Sequence, residues 1–381
     1  MQKKTKETIT CQNCSSTQTV KRGFAKNKFQ AIQKYQCKVC KSVFTQSQSK
    51  NKTYPIGIIL KSISTYNLGH SLKDTSNIIE KQNNTKLPPS TIAKWLSEYK
   101  NICAFSKLRG QAKKIFSPGQ IIESYPLLHN NLPYTFQIHK AKLEVLFHHP
   151  KYNNQFTNTS RFYDPLKSYL SKIPTNKFPH HIFKEYRRHS RLDTPQLSSQ
   201  KRASQIKFSH LNIIHISKAN AANKLAKLAL NLARSNAQRH KALQGFFITN
   251  DSTTIATEIP VYLTKDDIIY FQKRGFTLNL SNAKTPITGH IDILQVRNSL
   301  IHILDYKPEA KSCNPIEQLT LYALSLASRT KLDIKSFKCA WFDENSYYEF
   351  FPLHAIYKNR TYKNRTGYEG SGSRLGEGAQ A

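Results

Sequence analysis

The chain has 381 residues, enough for two or three domains with real cores, and its 58 Lys and Arg outnumber 23 Asp and Glu to give a formal charge of +35. Such a surplus points to a polyanionic partner, since each phosphate neutralised releases condensed counterions. No long apolar run or basic amphipathic anchor speaks for a membrane, and the polar stretch Met1–Thr10 carries no secretory leader. The expected setting is the cytoplasm, on the nucleoid, with DNA as partner, RNA as the second choice, and no membrane.

Residues 8–50 hold Cys11-Gln-Asn-Cys14 and Cys37-Lys-Val-Cys40, separated by a segment with Lys21, Arg22, Lys26, Lys28 and Lys34. Four thiolates at this spacing suit tetrahedral Zn²⁺, and the short insert is that of a zinc ribbon, whose folding energy comes from the metal. Phe24, Phe29, Tyr35 and Phe44 are expected to pack around the knuckles. Over residues 51–105 the pattern turns helical. Ile56, Ile59, Leu60, Ile63 and Tyr66 recur at helical intervals up to Asn67-Leu-Gly69, a second helix spans about Ser71 to Lys81, and Pro88-Pro89-Ser90 opens a third with Ser90 or Thr91 as N-cap. Three short helices with a Gly-containing turn fit an all-α helix-turn-helix, whose third helix would present Lys94, Ser97 and Lys100 to the major groove. The order of C-x2-C, basic segment, second C-x2-C followed by Phe44-Thr45, then helix-turn-helix, resembles the DNA-binding region of insertion-element transposases. That resemblance implies DNA recognition.

Residues 106–205 read as a basic linker or poorly defined region. Lys140 to Leu146 is expected to be helical and Asn153 to Ser160 a loop, while Arg187 and Arg188 sit in a basic, aromatic stretch suited to a phosphate-tracking arm. A helix is expected from about Ser217 to Arg234, then a strand at Thr257–Leu263 with Glu258 as an acidic ligand candidate. Next come two β-branched runs, Ile291–Val296 and Leu300–Tyr306, joined through Arg297-Asn298-Ser299. So short a turn brings Asp292 level with Asp305. Two carboxylates held together are costly unless a cation neutralises them, and hard oxygen ligands suit Mg²⁺ or Mn²⁺. Lys307 shares a strand face with Asp305, where an ammonium can orient or help deprotonate an attacking water. After Pro315 a helix carries Gln318 and Tyr322 on one stripe. Phe337–Phe342 and Tyr347–Phe351 read as further strands, and residues 358–381 as a flexible tail.

Gly289-x-x-Asp292, Asp305-x-Lys307 and Gln318-x3-Tyr322 together resemble the RecB-like branch of the PD-(D/E)xK nuclease superfamily. The resemblance implies an α/β core over residues 206–357, with a mixed central sheet flanked by helices. It also implies metal ligation by Asp292, Asp305 and the Tyr306 carbonyl, water activation by Lys307, and a site shaped by Gln318 and Tyr322. In that branch a G-x3-H element often adds a histidine ligand; here Ala219 and Asn223 stand at the corresponding positions of the Ser217–Arg234 helix. Cys103, Cys313 and Cys339 are too scattered for an iron–sulfur cluster, and none is expected. The expected function is a Mg²⁺- or Mn²⁺-dependent deoxyribonuclease targeted by the ribbon and helix-turn-helix. The alternative is a DNA-binding protein whose nuclease fold has lost activity, and a third reading directs the chain to RNA.

Overall fold

The computed structural model describes residues 9–11, 13–26, 31–45, 52–129, 132–148, 162–183, 202–208, 210–211, 216–217, 220–233, 235, 238–280 and 286–357. Arg187, Arg188, Phe29, the Asn153–Ser160 segment and the tail 358–381 lie outside the described residues.

The N-terminal part is a small antiparallel sheet of β1 (Thr19–Lys26), β2 (Ala31–Cys37) and β3 (Val43–Thr45), in that order. Tyr35 and Phe44 pair across β2 and β3 with ring centroids 6.0 Å apart. Phe24, expected beside them, is instead 57% exposed, because three strands offer too little area to cover a third ring.

Three helices follow: α1 (Ile56–Asn67), α2 (Leu72–Asn83) and α3 (Pro89–Tyr99). Gly69 makes the first turn with φ +104°, and a Cβ there would meet Ile121 Cδ1 at 3.1 Å and the Pro118 Cα at 3.3 Å. Ser71 and Asp74 form a reciprocal capping box on α2. The third helix departs from expectation: Pro88 is the N-cap and Pro89 the first helical residue, so neither Ser90 nor Thr91 caps it. Ile59, Leu60, Ile63, Ile79, Ile92 and Trp95 point inward.

Beyond α3 the described residues of the region expected to be a linker fold into the α/β body. They contribute α4 (Arg109–Ile115), the antiparallel hairpin of β4 (Ile122–His129) and β5 (Leu132–His139), α5 (Lys140–His148) and α6 (Asp164–Lys172). The Ser217–Arg234 helix is also shorter than expected: β6 occupies Ile216–Ser217, α7 spans Ala221–Ala229, and a 3-10 turn ends the run at Leu232. Then come α8 (Arg239–Asn250), β7 (Thr254–Leu263), α9 (Lys265–Lys273), β8 (Ile287–Arg297), β9 (Leu300–Tyr306), α10 (Ile316–Thr330), β10 (Phe337–Phe342), β11 (Tyr347–Phe350) and α11 (Pro352–Ile356).

These strands make one mixed sheet of eight in the order β4-β5-β7-β8-β9-β10-β11-β6, the last only two residues long. Only β9 and β10 pair in parallel, which requires a crossover, and α10 provides it. Alternation along β9 splits the interior. Ile301 and Ile303 enter a core formed with α6, α9, α10 and α11, while Leu304 and Tyr306 enter another with α7 and α8. That second core runs on without a break into Ile59, Leu60, Ile63, Ile79, Ile92 and Trp95 of the three-helix part.

Candidate acidic site and zinc centre

Asn298 and Ser299 both adopt positive φ, 52° and 59°, between the paired residues Arg297 and Leu300, which is the two-residue hairpin turn whose twist matches that of the strands. This turn fixes the register. Ile293 pairs with Leu304, so one step out Asp292 stands opposite Asp305. On the other side Thr257 pairs with Ile293 and Ile259 with Ile291, which sets Glu258 opposite Asp292. Three carboxylates therefore lie level on three adjacent strands. Glu258 holds its place with φ +53° in mid-strand, a conformation that costs a non-glycine residue about 1–3 kcal/mol.

Lys307, just past β9, donates its backbone N–H to the Phe342 carbonyl at 3.0 Å and brings Nζ to 2.7 Å from Asp305 Oδ2. Tyr306 donates its N–H to Asp292 Oδ2 at 3.3 Å, which sets that peptide beside the carboxylates. Asp305 is buried, and burial together with the Asp292 charge pushes its carboxyl up to about 8. Burial acts on Asp292 in the same direction, but hydrogen bonding to His240 and the charges of His240 and Lys307 more than offset it and leave this carboxyl below its usual range. Asp292 thus ionises first and Asp305 second. Glu258 is pushed up to about 7 by burial and by Asp292. For Lys307 burial works against the charged form, yet the Asp305 and Asp292 carboxylates prevail and hold the ammonium above its usual range.

The glycine of the G-x-x-D pattern has a steric reason. A Cβ on Gly289 would stand 2.3 Å from Tyr322 Cε1, so only glycine lets the α10 ring come this close to β8. Gln318 Nε2 donates to Tyr322 Oη at 3.0 Å, and the nearby Asp305 charge, added to burial, holds the Tyr322 phenol protonated well above its usual range. Both helix residues therefore border the acidic row.

A histidine does reach the acidic row, from the helix after the Ser217–Arg234 run. His240, in the first turn of α8, sets Nδ1 3.5 Å from Asp292 Oδ2 and its ring edge-on to Tyr306, with centroids 5.2 Å apart. The Asp292 carboxylate, by hydrogen bond and charge, outweighs burial and raises the affinity of this imidazole for its proton. One turn later Gln244 Nε2 donates to Glu258 Oε1 at 2.6 Å. The spacing His240-x3-Gln244, directly before the strand that carries Glu258, was the available signal. Asn223, at the position first compared with that histidine, is buried and donates to the carbonyls of Asp343 and Ser346, a structural duty. The acidic site also recruits residues with no sequence signal: His290 sets Nδ1 3.6 Å from Glu258 Oε2 and is met from behind by His129 of β4.

In the ribbon, Cys11 and Cys40 Sγ lie 3.5 Å apart, as do Cys14 and Cys37 Sγ, and all four sulfurs fall within 4.8 Å of one another. Tetrahedral zinc at its usual thiolate bond length holds sulfurs roughly 3.8 Å apart, so the four can hold a metal such as Zn²⁺. The two knuckles repeat one construction. Cys11 N–H donates to the Ser16 carbonyl at 2.8 Å and Cys37 N–H to that of Ser42 at 3.0 Å, with Ser15 and Lys41 at φ 57° and 59°. Hydrogen bonding by the Ser42 hydroxyl draws the Cys40 thiol down to about 5, while at Cys14 the Ser16 backbone hydrogen bond is outweighed by the neighbouring sulfurs and burial, which push the thiol up to about 12. Among the described residues no other group of three or more His, Cys, Asp or Glu gathers its ligand atoms this closely; the acidic row is spaced more widely.

Lys94, Ser97 and Lys100 all lie on the exposed side of α3 or at its C-cap. The chain matches no protein-family model, no curated protein and no solved structure. The likeness to RecB-like nucleases therefore stands on the residues themselves. The donors of the row are three hard carboxylates, of which Asp305 has its pKa raised by burial and by the Asp292 charge, a donor type that suits Mg²⁺ or Mn²⁺. No helix among the described residues is long and apolar enough to cross a membrane.

Proposed function

We propose that the chain is a divalent-metal-dependent nuclease that cuts DNA, guided to its target by the zinc ribbon and helix-turn-helix. The observation that carries this reading is the level placement of Glu258, Asp292 and Asp305 on β7, β8 and β9, with Lys307 Nζ 2.7 Å from Asp305. Glu258, Asp292 and Asp305 would hold Mg²⁺ or Mn²⁺, with the Tyr306 carbonyl and His240 beside them. The cation would supply Lewis-acid polarisation of the scissile phosphate and a lower pKa for water. Lys307 places a fixed positive charge where negative charge develops on the phosphate, and its ammonium orients the incoming water. Tyr322, with Gln318 hydrogen-bonded to it, would shape one side of the row. The +35 charge, with Lys94, Ser97 and Lys100 facing outward from α3, supports a DNA partner.

The test is cleavage of end-labelled linear, circular and single-stranded DNA with Mg²⁺ or Mn²⁺. Asp305→Asn and Lys307→Ala should each lower the rate by about a hundredfold or more while leaving DNA affinity within a factor of two or so. A variant that cuts like the parent removes the site assignment. The wider spacing of the acidic row than of the thiolates favours a second reading, a DNA-binding protein without catalysis. Absence of cutting on every topology, with binding intact, would decide for it. Structured RNA competing better than duplex DNA at matched salt would turn either reading toward RNA.

A further inference from the structure

His129 ends β4, in the hairpin that borders β7, and is almost fully buried. Its Nε2 lies 2.9 Å from Thr288 Oγ1 and its Nδ1 3.1 Å from His290 Nε2. His290 in turn sets Nδ1 3.6 Å from Glu258 Oε2, with its ring lying over that of Tyr134 at a centroid distance of 3.9 Å. Each neutral imidazole has one N–H and one lone pair, so the chain of contacts has a direction. A lone pair aimed at a carboxylate repels it, so His290 carries its proton on Nδ1, facing Glu258. Its Nε2 is then an acceptor, His129 must donate from Nδ1, and His129 Nε2 must accept from the Thr288 hydroxyl. Gln244 donates to the other oxygen, Oε1, at 2.6 Å. Glu258 thus has Gln244 hydrogen-bonded to Oε1 and the His290 imidazole in electrostatic contact with Oε2 at 3.6 Å, while its backbone is held at φ +53°.

We propose that His129 is a positioning residue for the acidic row: acting through His290, it fixes the Glu258 carboxylate as a cation ligand. This rests on the reading of the row as a cation site. Carboxylates that hold metals need partners that orient their oxygens, and loss of such a partner weakens metal binding by about 10- to 100-fold. It also gives a purpose to the β4–β5 hairpin, which adds strands beside β7 and brings an imidazole to the back of the site.

The experiment titrates the zinc-loaded full-length chain with Mn²⁺ by calorimetry, with Asp292→Asn as the blank. His129→Leu should weaken Mn²⁺ binding about tenfold or more. His129→Asn places an amide N–H where the imidazole Nδ1–H was and should recover most of that loss, which a role in packing alone does not predict. Should the leucine variant fail to fold, Thr288→Val serves in its place: it frees His129 to take the other tautomer and should weaken Mn²⁺ by several-fold. Parent-like affinity in the variant tested, or an asparagine variant no better than leucine, overturns the positioning role and leaves the cation site standing. A parent that binds no more Mn²⁺ than the Asp292→Asn blank removes both.

Discussion

Asp305 and Glu258 tie stability to pH in a direction set by their burial. Their folded values, about 8 and about 7, lie above the ordinary 3.8 and 4.5. A raised folded pKa gives stability that is complete below the unfolded value and is lost as pH rises through the folded one. Without added divalent cation, urea midpoints should therefore fall from about pH 5 to pH 8, and Asp305→Asn should flatten much of that slope; an unchanged slope would mean that the charge responsible lies elsewhere. A neighbouring residue offers a purely steric test. Gly289→Ala drives a methyl into Tyr322, an overpacking that costs about 1–3 kcal/mol, and that cost should largely vanish when the same substitution is made in a Tyr322→Ala background, which itself loses a buried ring. An equal loss on Gly289→Ala in both backgrounds would show that the ring is not what excludes the methyl.

At the scale of elements, α8 is the piece on which the site hangs. Its N-terminal half supplies His240 and Gln244 to the carboxylates. Its C-terminal end is clamped by Lys142 of α5, which has no exposed surface and gives its ammonium to the carbonyls of Ile248 at 2.7 Å and Thr254 at 3.0 Å and to Asp251 Oδ1 at 3.3 Å. Burial draws this lysine down to about 8, against the pull of Asp251. Lys142→Met fills the same space but leaves a buried carboxylate unpaired, which should cost about 3–5 kcal/mol in chemical unfolding. A loss below about 1 kcal/mol would mean that Asp251 is satisfied by its other donors alone. The hairpin bearing Asp292 and Asp305 was legible in the sequence because β-branched runs flank Asn298-Ser299, and α10 was legible because its apolar stripe follows Pro315. By contrast β4 and β5 were not: Pro126 and Pro133 interrupt runs that would otherwise read as strands, and proline is tolerated because Pro126 lies in the edge strand β4 and Pro133 lies outside the short stretch of β5, Gln137–Ile138, that pairs with β7. His240 was not legible because it lies one helix beyond the one to which the G-x3-H pattern points, and a buried Lys142 has no sequence signature at all, its partners lying more than a hundred residues away.

At the scale of the molecule, the three-helix part and the α/β body share one interior rather than meeting at a surface. Asn67 Nδ2 of α1 donates to Asn250 Oδ1 of α8 at 2.9 Å in a buried contact, and Asn250 Nδ2 reaches Ser64 Oγ at 2.9 Å. Arg109 donates from Nε to the Tyr66 carbonyl at 2.7 Å and also holds that of His70, tying down the end of α1. Residues 52–357 should therefore melt in a single calorimetric transition, and Asn250→Ala, which strands polar groups in this seam, should lower that one transition by a few degrees rather than split it. Two transitions, with the three helices melting first, would refute the shared interior. Zinc removal should unfold the ribbon and weaken DNA binding while leaving the main transition in place.

Helices and a sheet that share one interior cannot swing against each other. For a nuclease of this build, a duplex seated on α3 would be nicked at one constant number of base pairs from the bound sequence. Shifting that sequence along the duplex should carry the break with it like a mark on a ruler, whereas a cutter on a loose tether leaves a smear of ends.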